Sequence, residues 1–322
     1  MICASAQAEE VVRPPDLSEL ARQTALLHEV ADLWDANLAK IKTWEGEAAI
    51  TRVSVNQDGD GERTEQAVAV TFVCDRTSDQ LLWTRTEGPI AVTALGKTSH
   101  EQPVTKFESG WQSPTTLTRF SIHRSKKQEA QLRHAIILPR EGERLAYYHD
   151  FDPIWYISYS GENAAQRMRF LAKVLQRPDA KWRVGKFGET VIVEYDNDGL
   201  INRYAFRLDW GGMPASYEGI SPNGSDVVKW TFARQGDVWL PTEWSELSTQ
   251  KRDEQEGDEP GPKVRSLGVK FVKNRLNEKL AADAFDLRHL GLEPGDSIYD
   301  KATDEHRKYQ PEPVRSDAAL AK

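Results

Sequence analysis

Residues 189–248 read ETVIVEYDNDGLINRYAFRLDWGGMPASYEGISPNGSDVVKWTFARQGDVWLPTEWSELS, and this stretch decides the fold. The clearest alternating apolar sets in it are Tyr204, Phe206, Leu208 and Trp210, and then Val228, Trp230 and Phe232. Alternation with a period of two indicates strands that bury one face. Tight turns such as DNDG and NG join these runs, whereas parallel strands need connections of a dozen residues or more. We therefore predict a mainly β chain with few helices, whose strands form a large antiparallel sheet.

An N-terminal amphipathic helix is predicted to pack on this sheet. Asp16 and Glu19 stand at the spacing of a capping box. The apolar residues that follow recur at steps of three, four and seven, and they are Leu20, Leu27, Ala31, Trp34, Leu38 and Ile41. That spacing gives a helix with one apolar face, which needs an apolar partner surface. A second helix is predicted over 162–176, because its buried stripe stops before Pro178.

The strand predicted over 66–74 is apolar on both faces. One face carries Val68, Val70, Phe72 and Cys74, and the other carries Ala67, Ala69, Thr71 and Val73. Such a composition predicts that both sides of the strand are covered. Two interpretations stay open. Either a helix covers one face and a second layer the other, or the sheet curves round a cavity that holds an apolar ligand.

The remaining pattern sets the domain limits. Further strands are predicted at 47–55, 80–86, 132–138, 144–149 and 264–274. Residues 88–133 lack a clear pattern, which predicts irregular strands and loops. We expect a flexible N-terminus or signal-peptide remnant over 1–15, one domain over 16–306, and a disordered tail over 307–322.

The first residues bear on export. Small residues stand at the spacing that signal peptidase prefers, at Ala4/Ala6 and Ala6/Ala8, but the charged start and the apolar run of a signal peptide are missing. We expect export if the true start lies upstream of Met1, and small residues in a loose terminus are the alternative. The sequence has no apolar run of the length that predicts a transmembrane helix.

Charge and residue types argue against several classes of function. The net charge is -8 and the sequence has no basic stripe, so nucleic acid is not an expected partner. The seven His never stand at metal-ligand spacing with one another or with Cys, so we expect no metal and no other cofactor. The sequence also lacks a Gly-x-Ser-x-Gly elbow and a phosphate-binding glycine loop. We predict that the protein is not an enzyme.

One local cluster could still carry chemistry. His149, Asp150 and Asp152 place an imidazole and two carboxylates beside aromatic residues. In a strand, residues 150 and 152 share a face while residue 149 points the other way, so the three groups converge only if the chain bends there. An enzyme that uses these three residues is therefore a third interpretation, after two kinds of binding protein described below.

Several short motifs together resemble a known family. A helix runs into a Trp-containing strand, a Trp-x-Pro step lies in the meander, and a return strand with an Asn precedes a Phe. These motifs are Leu33-Trp34-Asp35, Lys42-Thr43-Trp44-Glu45-Gly46, Trp239-Leu240-Pro241, Phe271-Val272-Lys273-Asn274 and Asp283-Ala284-Phe285-Asp286-Leu287. The layout resembles the lipoprotein-carrier superfamily, the LolA/LolB-like proteins of the bacterial envelope. The ending from Phe285 to Asp300 is also similar to that of a group of exported bacterial proteins.

The resemblance implies an unclosed β-barrel whose concave apolar face, covered by the helix, holds a lipid, acyl chain or acylated ligand. The residues predicted to line this cavity are Val70, Phe72, Trp83, Phe206 and Trp230. A monomer in the periplasm or cell envelope is expected. The alternative is an envelope sensor or scaffold that binds another protein. An empty apolar concavity on the order of a few hundred Å³ would favour ligand binding, and a filled one would favour the scaffold.

Overall fold

The computed structural model of the chain describes residues 17–56, 61–102, 105–124, 131–139, 153, 164–176, 181–197, 199–250 and 263–310. Two α-helices and sixteen strands lie within these ranges. The helices are α1 (Leu17–Ala39) and α2 (Ala164–Val174). The strands are β1 (Thr43–Asn56), β2 (Arg63–Asp75), β3 (Gln80–Ala94), β4 (Lys97–Glu101), β5 (Thr105–Gln112), β6 (Thr116–Arg124), β7 (Gln131–Pro139), β8 (Trp182–Phe187), β9 (Thr190–Asn197), β10 (Leu200–Arg207), β11 (Met213–Ser221), β12 (Gly224–Gln235), β13 (Val238–Gln250), β14 (Lys263–Leu276), β15 (Ser297–Asp300) and β16 (Glu305–Lys308).

All sixteen strands belong to one sheet that does not close. Its order is β16-β15-β7-β6-β5-β3-β2-β1-β14-β13-β12-β11-β10-β9-β8, with β4 paired to the last residues of β3. The prediction of a large curved and unclosed antiparallel sheet with an N-terminal helix packed on it is confirmed. One pair departs from the antiparallel pattern, because β15 lies parallel to β7. The chain between these two strands is long enough for the crossover that a parallel pair needs.

The main apolar cluster lies on the face of the sheet that carries α1 and α2, which we call the helix face. Buried residues alternate along β1 and β2, as at Trp44, Ala48 and Ile50. Both helices add their apolar stripes: Leu26, Leu27, Val30, Ala31 and Trp34 from α1, and Ala165, Met168, Leu171, Ala172 and Leu175 from α2 and the residue after it. The two helices were predicted with nearly these bounds, because their apolar spacing is regular.

The opposite face of the sheet, called the outer face, is bare over most of β2. Ala67, Ala69 and Thr71 are exposed there, so the prediction that both faces of this strand are covered is wrong for these positions. Alanine and threonine side chains are small, and exposing them costs little, since apolar atoms make up more than half of a protein surface. Residue type alone therefore overestimates the burial of these small side chains.

A second apolar cluster lies on the outer face over β3, β5, β6 and β7. Its buried members are Leu82, Phe120, Ala135, Leu290, Leu292, Ile298 and Tyr309. The last four belong to the C-terminal segment 280–310. Its residues before β15 form a second layer on this face, and its strands β15 and β16 extend the sheet beside β7. The tail predicted from residue 307 therefore begins too early: Arg307 and Lys308 belong to β16, and Tyr309 is buried.

The described parts of residues 88–133, which are 88–102, 105–124 and 131–133, contain regular strands from the end of β3 to the start of β7, so the prediction of irregular strands is wrong for these residues. The buried positions of β5 explain the error. They include Ser109 and Gly110, which hydropathy does not mark as buried. The strand predicted at 144–149 and the cluster of His149, Asp150 and Asp152 lie outside the described residues.

Candidate ligand-binding site

All five residues predicted to line a cavity have their side chains on the helix face. Each is 1–4% exposed and belongs to the main apolar cluster. They are Val70 and Phe72 on β2, Trp83 on β3, Phe206 on β10 and Trp230 on β12. The structure thus places them on one face of the sheet, packed among other side chains. That they line a ligand cavity stays a prediction.

Aromatic rings contact one another on the helix face near β1. Phe72 packs edge-on against Trp44, with 5.2 Å between ring centroids, and Trp44 stacks on Phe271 at 5.7 Å. The Trp44 indole Nε1 donates a hydrogen bond to Asn274 Oδ1 over 2.9 Å. Phe72 also lies over Gly46, where a Cβ would come within 2.5 Å of the ring. Side chains of the sheet itself therefore fill this part of the face.

Helix α1 lies on the helix face through apolar contacts. Trp34 packs edge-on against Phe206, with 6.4 Å between ring centroids, and Phe206 stacks on Tyr204 at 6.0 Å. The Trp34 indole Nε1 is buried without a hydrogen-bond partner in the described part of the chain. A buried donor in that state costs about 1–3 kcal/mol. Packing of α1 on the sheet therefore carries an unfavourable contribution from the buried Trp34 N–H.

Hydrogen bonds join the C-terminal end of α1 to the sheet. Asn37 donates from Nδ2 to the carbonyl oxygen of Trp239 over 3.0 Å and accepts from the Trp239 N–H over 2.8 Å. Lys40 Nζ donates to the carbonyl oxygen of Asp237, and the Arg76 guanidinium donates to that of Leu38. Sequence reasoning missed Asn37, although its spacing from Trp34 places it on the apolar side of the helix.

An ion pair with two branches joins α2 to α1. Arg169 donates from Nη1 to Asp35 Oδ2 over 2.7 Å and from Nη2 to Asp32 Oδ1 over 2.8 Å. The backbone of α1 runs closest to α2, and it approaches the sheet at β8 and β13. On α2, Arg167 Nη2 donates to Tyr195 Oη on β9 over 3.4 Å, and its guanidinium lies 5.6 Å from the ring centroid of Tyr204 on β10. The two helices therefore form a pair that covers the apolar face, with α1 hydrogen-bonded to the sheet at its C-terminal end and α2 through Arg167.

Charged and polar side chains border the apolar part of the helix face. We call this set the polar belt, and it consists of Arg52 on β1, Gln66 on β2, Arg85 and Glu87 on β3, and Glu108 on β5. The strand register puts them on the same face as the buried Ile50 and Val68. Sequence reasoning missed the belt because hydropathy does not mark charged residues as buried. Arg52, Gln66 and Arg85 each lie two residues from a buried apolar residue, and this spacing was the available signal.

Glu87 lies at the centre of the polar belt. Its Oε1 is 3.4 Å from Arg52 Nη1 and 3.3 Å from Arg85 Nη2, and its Oε2 accepts from Gln66 Nε2 over 3.2 Å. Arg85 also pairs with Glu108. The side chains of Arg85 and Glu87 are 11% and 10% exposed, whereas that of Arg52 is 40% exposed. The belt is thus a largely buried ionic network with one guanidinium open to solvent.

Glu246 on β13 is another acid on the helix face, next to Leu267 in the register that links β13 to β14 and β1. Burial raises the pKa of its carboxyl, and the nearby Asp226 carboxylate raises it further. A raised folded-state pKa gives stability that is fully present below the unfolded-state pKa and is lost as the pH rises through the folded-state pKa. The contribution of Glu246 to the free energy of unfolding therefore decreases as the pH rises.

We expect Glu246→Gln to raise the melting temperature near pH 8 by about 1–3 °C, because the variant has no charge to bury. The gain should vanish near pH 4, where Glu246 is protonated in the native protein. Thermal denaturation at both pH values measures this. Glu243→Gln is the control, since Glu243 lies exposed on the other face of the same strand and pairs with Lys270. An equal gain in both variants would contradict the assignment.

A cavity of about 370 Å³ lies on the outer face, between β1–β3 and the C-terminal segment. The hydroxyls of Thr71 and Thr84 hydrogen-bond across its floor over 2.7 Å, and an ion pair of Glu47 with Lys273 lies at its edge. Phe72 and Trp83 also border it, but their rings pack on the helix face. This cavity is therefore not the one predicted between the sheet and α1.

Neither a membrane-spanning helix nor a metal site is found in the part of the chain that the structure describes. No helix there combines the length and the apolar character needed to cross a bilayer. No group of three or more His, Cys, Asp or Glu residues there is placed to hold a metal ion.

Comparison with known proteins finds similar solved structures, while no family model and no curated protein matches. A DUF1329 family protein from Desulfovibrio piger is 8% identical, with a TM-score of 0.38 and coverage of 83% of this chain and 99% of that one. A LolA superfamily protein from Nitrosomonas europaea is 10% identical, with a TM-score of 0.31 and the same coverage. Lipovitellin is 5% identical, with a TM-score of 0.29 over 75% of this chain and 26% of that one.

The second of these structures belongs to the superfamily that the sequence motifs resemble. Similarity at these TM-scores and identities supports no conclusion about function.

Proposed function

We propose that this protein is an extracytoplasmic binding protein, not an enzyme, that holds a lipid or acyl chain between the helix face and the α1–α2 pair. The observation that carries the proposal is the layout of that pair. Two helices that are joined to each other cover a broad apolar face, and the hydrogen bonds that attach α1 to the sheet lie at its C-terminal end. The N-terminal part of α1 can therefore separate from the sheet without breaking those bonds, whereas movement of α2 also breaks the contact of Arg167 with Tyr195.

The energetics allow an acyl chain to replace the helix contacts. Each buried methylene contributes about 0.8 kcal/mol, so a chain of twelve carbons gains several kcal/mol on entering the apolar face. That gain offsets the loss of contacts such as Trp34 on Phe206. Because side chains already fill this face, a ligand has to displace the helices, and uptake should be limited by helix movement.

A second candidate is an envelope sensor or scaffold that binds another protein. The observation in its favour is that Val70, Phe72, Trp83, Phe206 and Trp230 already pack against the protein's own side chains. In that case the helix face is a permanent core, and no acyl chain should enter it.

The test is uptake of a fluorescent fatty acid, followed by stopped-flow fluorescence, together with native mass spectrometry of the purified protein. We expect one bound fatty-acid molecule per protein molecule. We also expect faster hydrogen exchange in residues 17–39, because the ligand displaces α1. Arg169→Ala should speed uptake about threefold or more, because it removes the ion pairs that join α2 to α1.

Arg203→Ala is the matched control for this experiment. Arg203 also binds two carboxylates, those of Glu194 and Glu218, but on the outer face. It should leave the uptake rate unchanged. A protein that carries no lipid and takes up no fatty acid would overturn the proposal and favour the scaffold.

A further inference from the structure

We propose that the polar belt is a headgroup site that selects amphipathic ligands with an anionic headgroup, a carboxylate or a phosphate, and that Arg52 is the residue that binds the anion. This inference rests on the proposed function, since it assigns the headgroup end of the same ligand. The acyl chain lies along the apolar part of the helix face, and the headgroup lies at Arg52.

The strand register places the two parts of such a ligand side by side. Arg52 and Ile50 are two residues apart on β1, which puts their Cα atoms about 7 Å apart along the strand. They pair with Gln66 and Val68 on β2, so the change from apolar to polar falls at the same level on both strands. Ile50 and Val68 are buried in the main apolar cluster. A ligand that follows this boundary meets apolar groups first and the polar belt directly after them.

Burying the charged side chains of the polar belt lowers the stability of the folded protein. Desolvating a charged side chain costs several kcal/mol, and a buried ion pair often stabilises a protein no better than apolar residues of the same size. Arg85, Glu87 and Glu108 are all at most 15% exposed. A charged network at this place is therefore better explained by ligand selection than by stability.

The geometry singles out Arg52 as the group that can exchange partners. Its contacts to Glu87 and Gln66 both measure 3.4 Å, longer than the 2.7–2.9 Å of a close charge-assisted hydrogen bond. Its side chain is 40% exposed, so a headgroup can reach it. A guanidinium has five N–H donors and binds carboxylate and phosphate oxygens in pairs. An incoming anion would therefore compete with Glu87 for Arg52.

The test compares four probes with the full chain by calorimetry: dodecyl phosphate, dodecanoate, dodecyltrimethylammonium and a neutral dodecyl ether of ethylene glycol. We expect the two anions to bind about tenfold or more tighter than the neutral ether, and the cation to bind no tighter than the ether. Arg52→Gln should bring the anions to within about threefold of the ether and leave the ether itself unchanged.

The variant Glu87→Gln distinguishes a headgroup site from a polar belt that only stabilises the fold. It removes the carboxylate that competes for Arg52, so anion affinity should rise severalfold, whereas a merely structural network would only lose stability or binding. Arg63→Gln is the control, because Arg63 lies on the outer face of β2 and pairs with exposed Glu65. It should change no affinity.

The outcomes separate this inference from the proposed function. If all four probes bind alike, or if Glu87→Gln weakens anions and the ether equally, the headgroup site is refuted while lipid binding stands. If inorganic phosphate alone binds as tightly as dodecyl phosphate, the dodecyl group contributes nothing to binding and the inference also fails. If no probe binds, including the neutral ether, the proposed function itself is wrong.

Discussion

Gly212→Ala is expected to lower the free energy of unfolding by about 3 kcal/mol or more, through strain and through displacement of α1. Gly212 has a φ of +73°, which an L residue rarely adopts. A Cβ added there would lie 2.6 Å from the carbonyl oxygen of Val30 and 3.1 Å from the Cβ of Leu33. The Val30 oxygen belongs to the backbone of α1 and cannot rotate away. The helix itself must therefore shift.

Gly236→Ala is the matched control for the strain. Gly236 has a φ of +63°, but a Cβ there would have no atom within 4 Å. Its replacement should cost only the backbone term, about 1–2 kcal/mol. The difference between the two variants therefore isolates the contact of Gly212 with α1. Urea denaturation measures both costs, and equal losses would show that α1 tolerates the added methyl group.

The same pair of variants tests whether α1 behaves as a lid. Gly212→Ala should increase hydrogen exchange in residues 17–39 and speed the uptake of a fluorescent fatty acid, as Arg169→Ala does from the other side of the helix. Gly236→Ala should leave both unchanged. If Gly212→Ala unfolds the chain as a whole at room temperature, the exchange experiment can be done on Arg169→Ala, which removes only side-chain ion pairs.

The parts of the fold that the sequence predicted are those in which periodicity and burial agree. The apolar stripe of α1 and the alternation of Tyr204 with Phe206 each match one face that is covered by protein. The alternation predicted to continue through Leu208 and Trp210 is wrong as a strand, because β10 ends at Arg207 and Leu208–Trp210 form a turn of 3-10 helix. The extent of β5 could not be predicted, because Gly110 is buried so that the indole of Trp83 can lie over it. In the sequence, a glycine that makes room for a neighbouring ring cannot be distinguished from a glycine in a turn.

The candidate site was predictable only for its apolar half. Val70, Phe72 and Phe206 stand out by alternation, whereas hydropathy does not mark Arg52 on β1 or Glu87 on β3 as members of the same face. The burial of Glu87 depends on neighbours that are distant in sequence, because its carboxylate contacts Gln66 from β2 and Arg52 from β1. Asn37 was missed for the same reason, since its partner Trp239 is two hundred and two residues away.

Asp296→Ala is expected to lower the free energy of unfolding by about 2–4 kcal/mol at neutral pH and to release the C-terminal layer of the outer face. The Asp296 side chain is 8% exposed. It accepts hydrogen bonds from Arg133 Nε over 3.0 Å, from Arg133 Nη2 over 3.2 Å and from the Glu293 N–H over 2.7 Å. Arg133 in turn lies over the Phe120 ring of the second apolar cluster. Loss of the carboxylate leaves this guanidinium partly buried with fewer acceptors.

The effect should depend on pH in a defined direction. Burial alone would raise the pKa of Asp296, but the hydrogen bonds from Arg133 and from the Glu293 N–H outweigh it, and the pKa is lowered. A lowered folded-state pKa gives stability that is present above the unfolded-state pKa, about 3.9, and is lost as the pH falls through the folded-state value. The difference between Asp296→Ala and the unchanged protein should therefore shrink steadily below about pH 4.

Asp286→Ala is the matched control, because Asp286 also pairs with an arginine of the same segment, Arg288, but both side chains are at least one third exposed. The Asp286 side chain also accepts the Arg288 N–H at the start of the 3-10 helix Leu287–Leu290, so its loss should cost about 1 kcal/mol, the effect of an exposed ion pair and a cap. Chemical denaturation at about pH 7 and at the lowest pH where the protein stays folded measures both variants, and hydrogen exchange of residues 280–310 reports release of the layer. A double variant with Arg133→Ala should cost less than the sum of the two single variants, since both remove the interaction between Asp296 and Arg133. Equal costs for Asp286 and Asp296, or a cost at Asp296 that ignores pH, would mean that apolar contacts alone hold the C-terminal segment on the sheet.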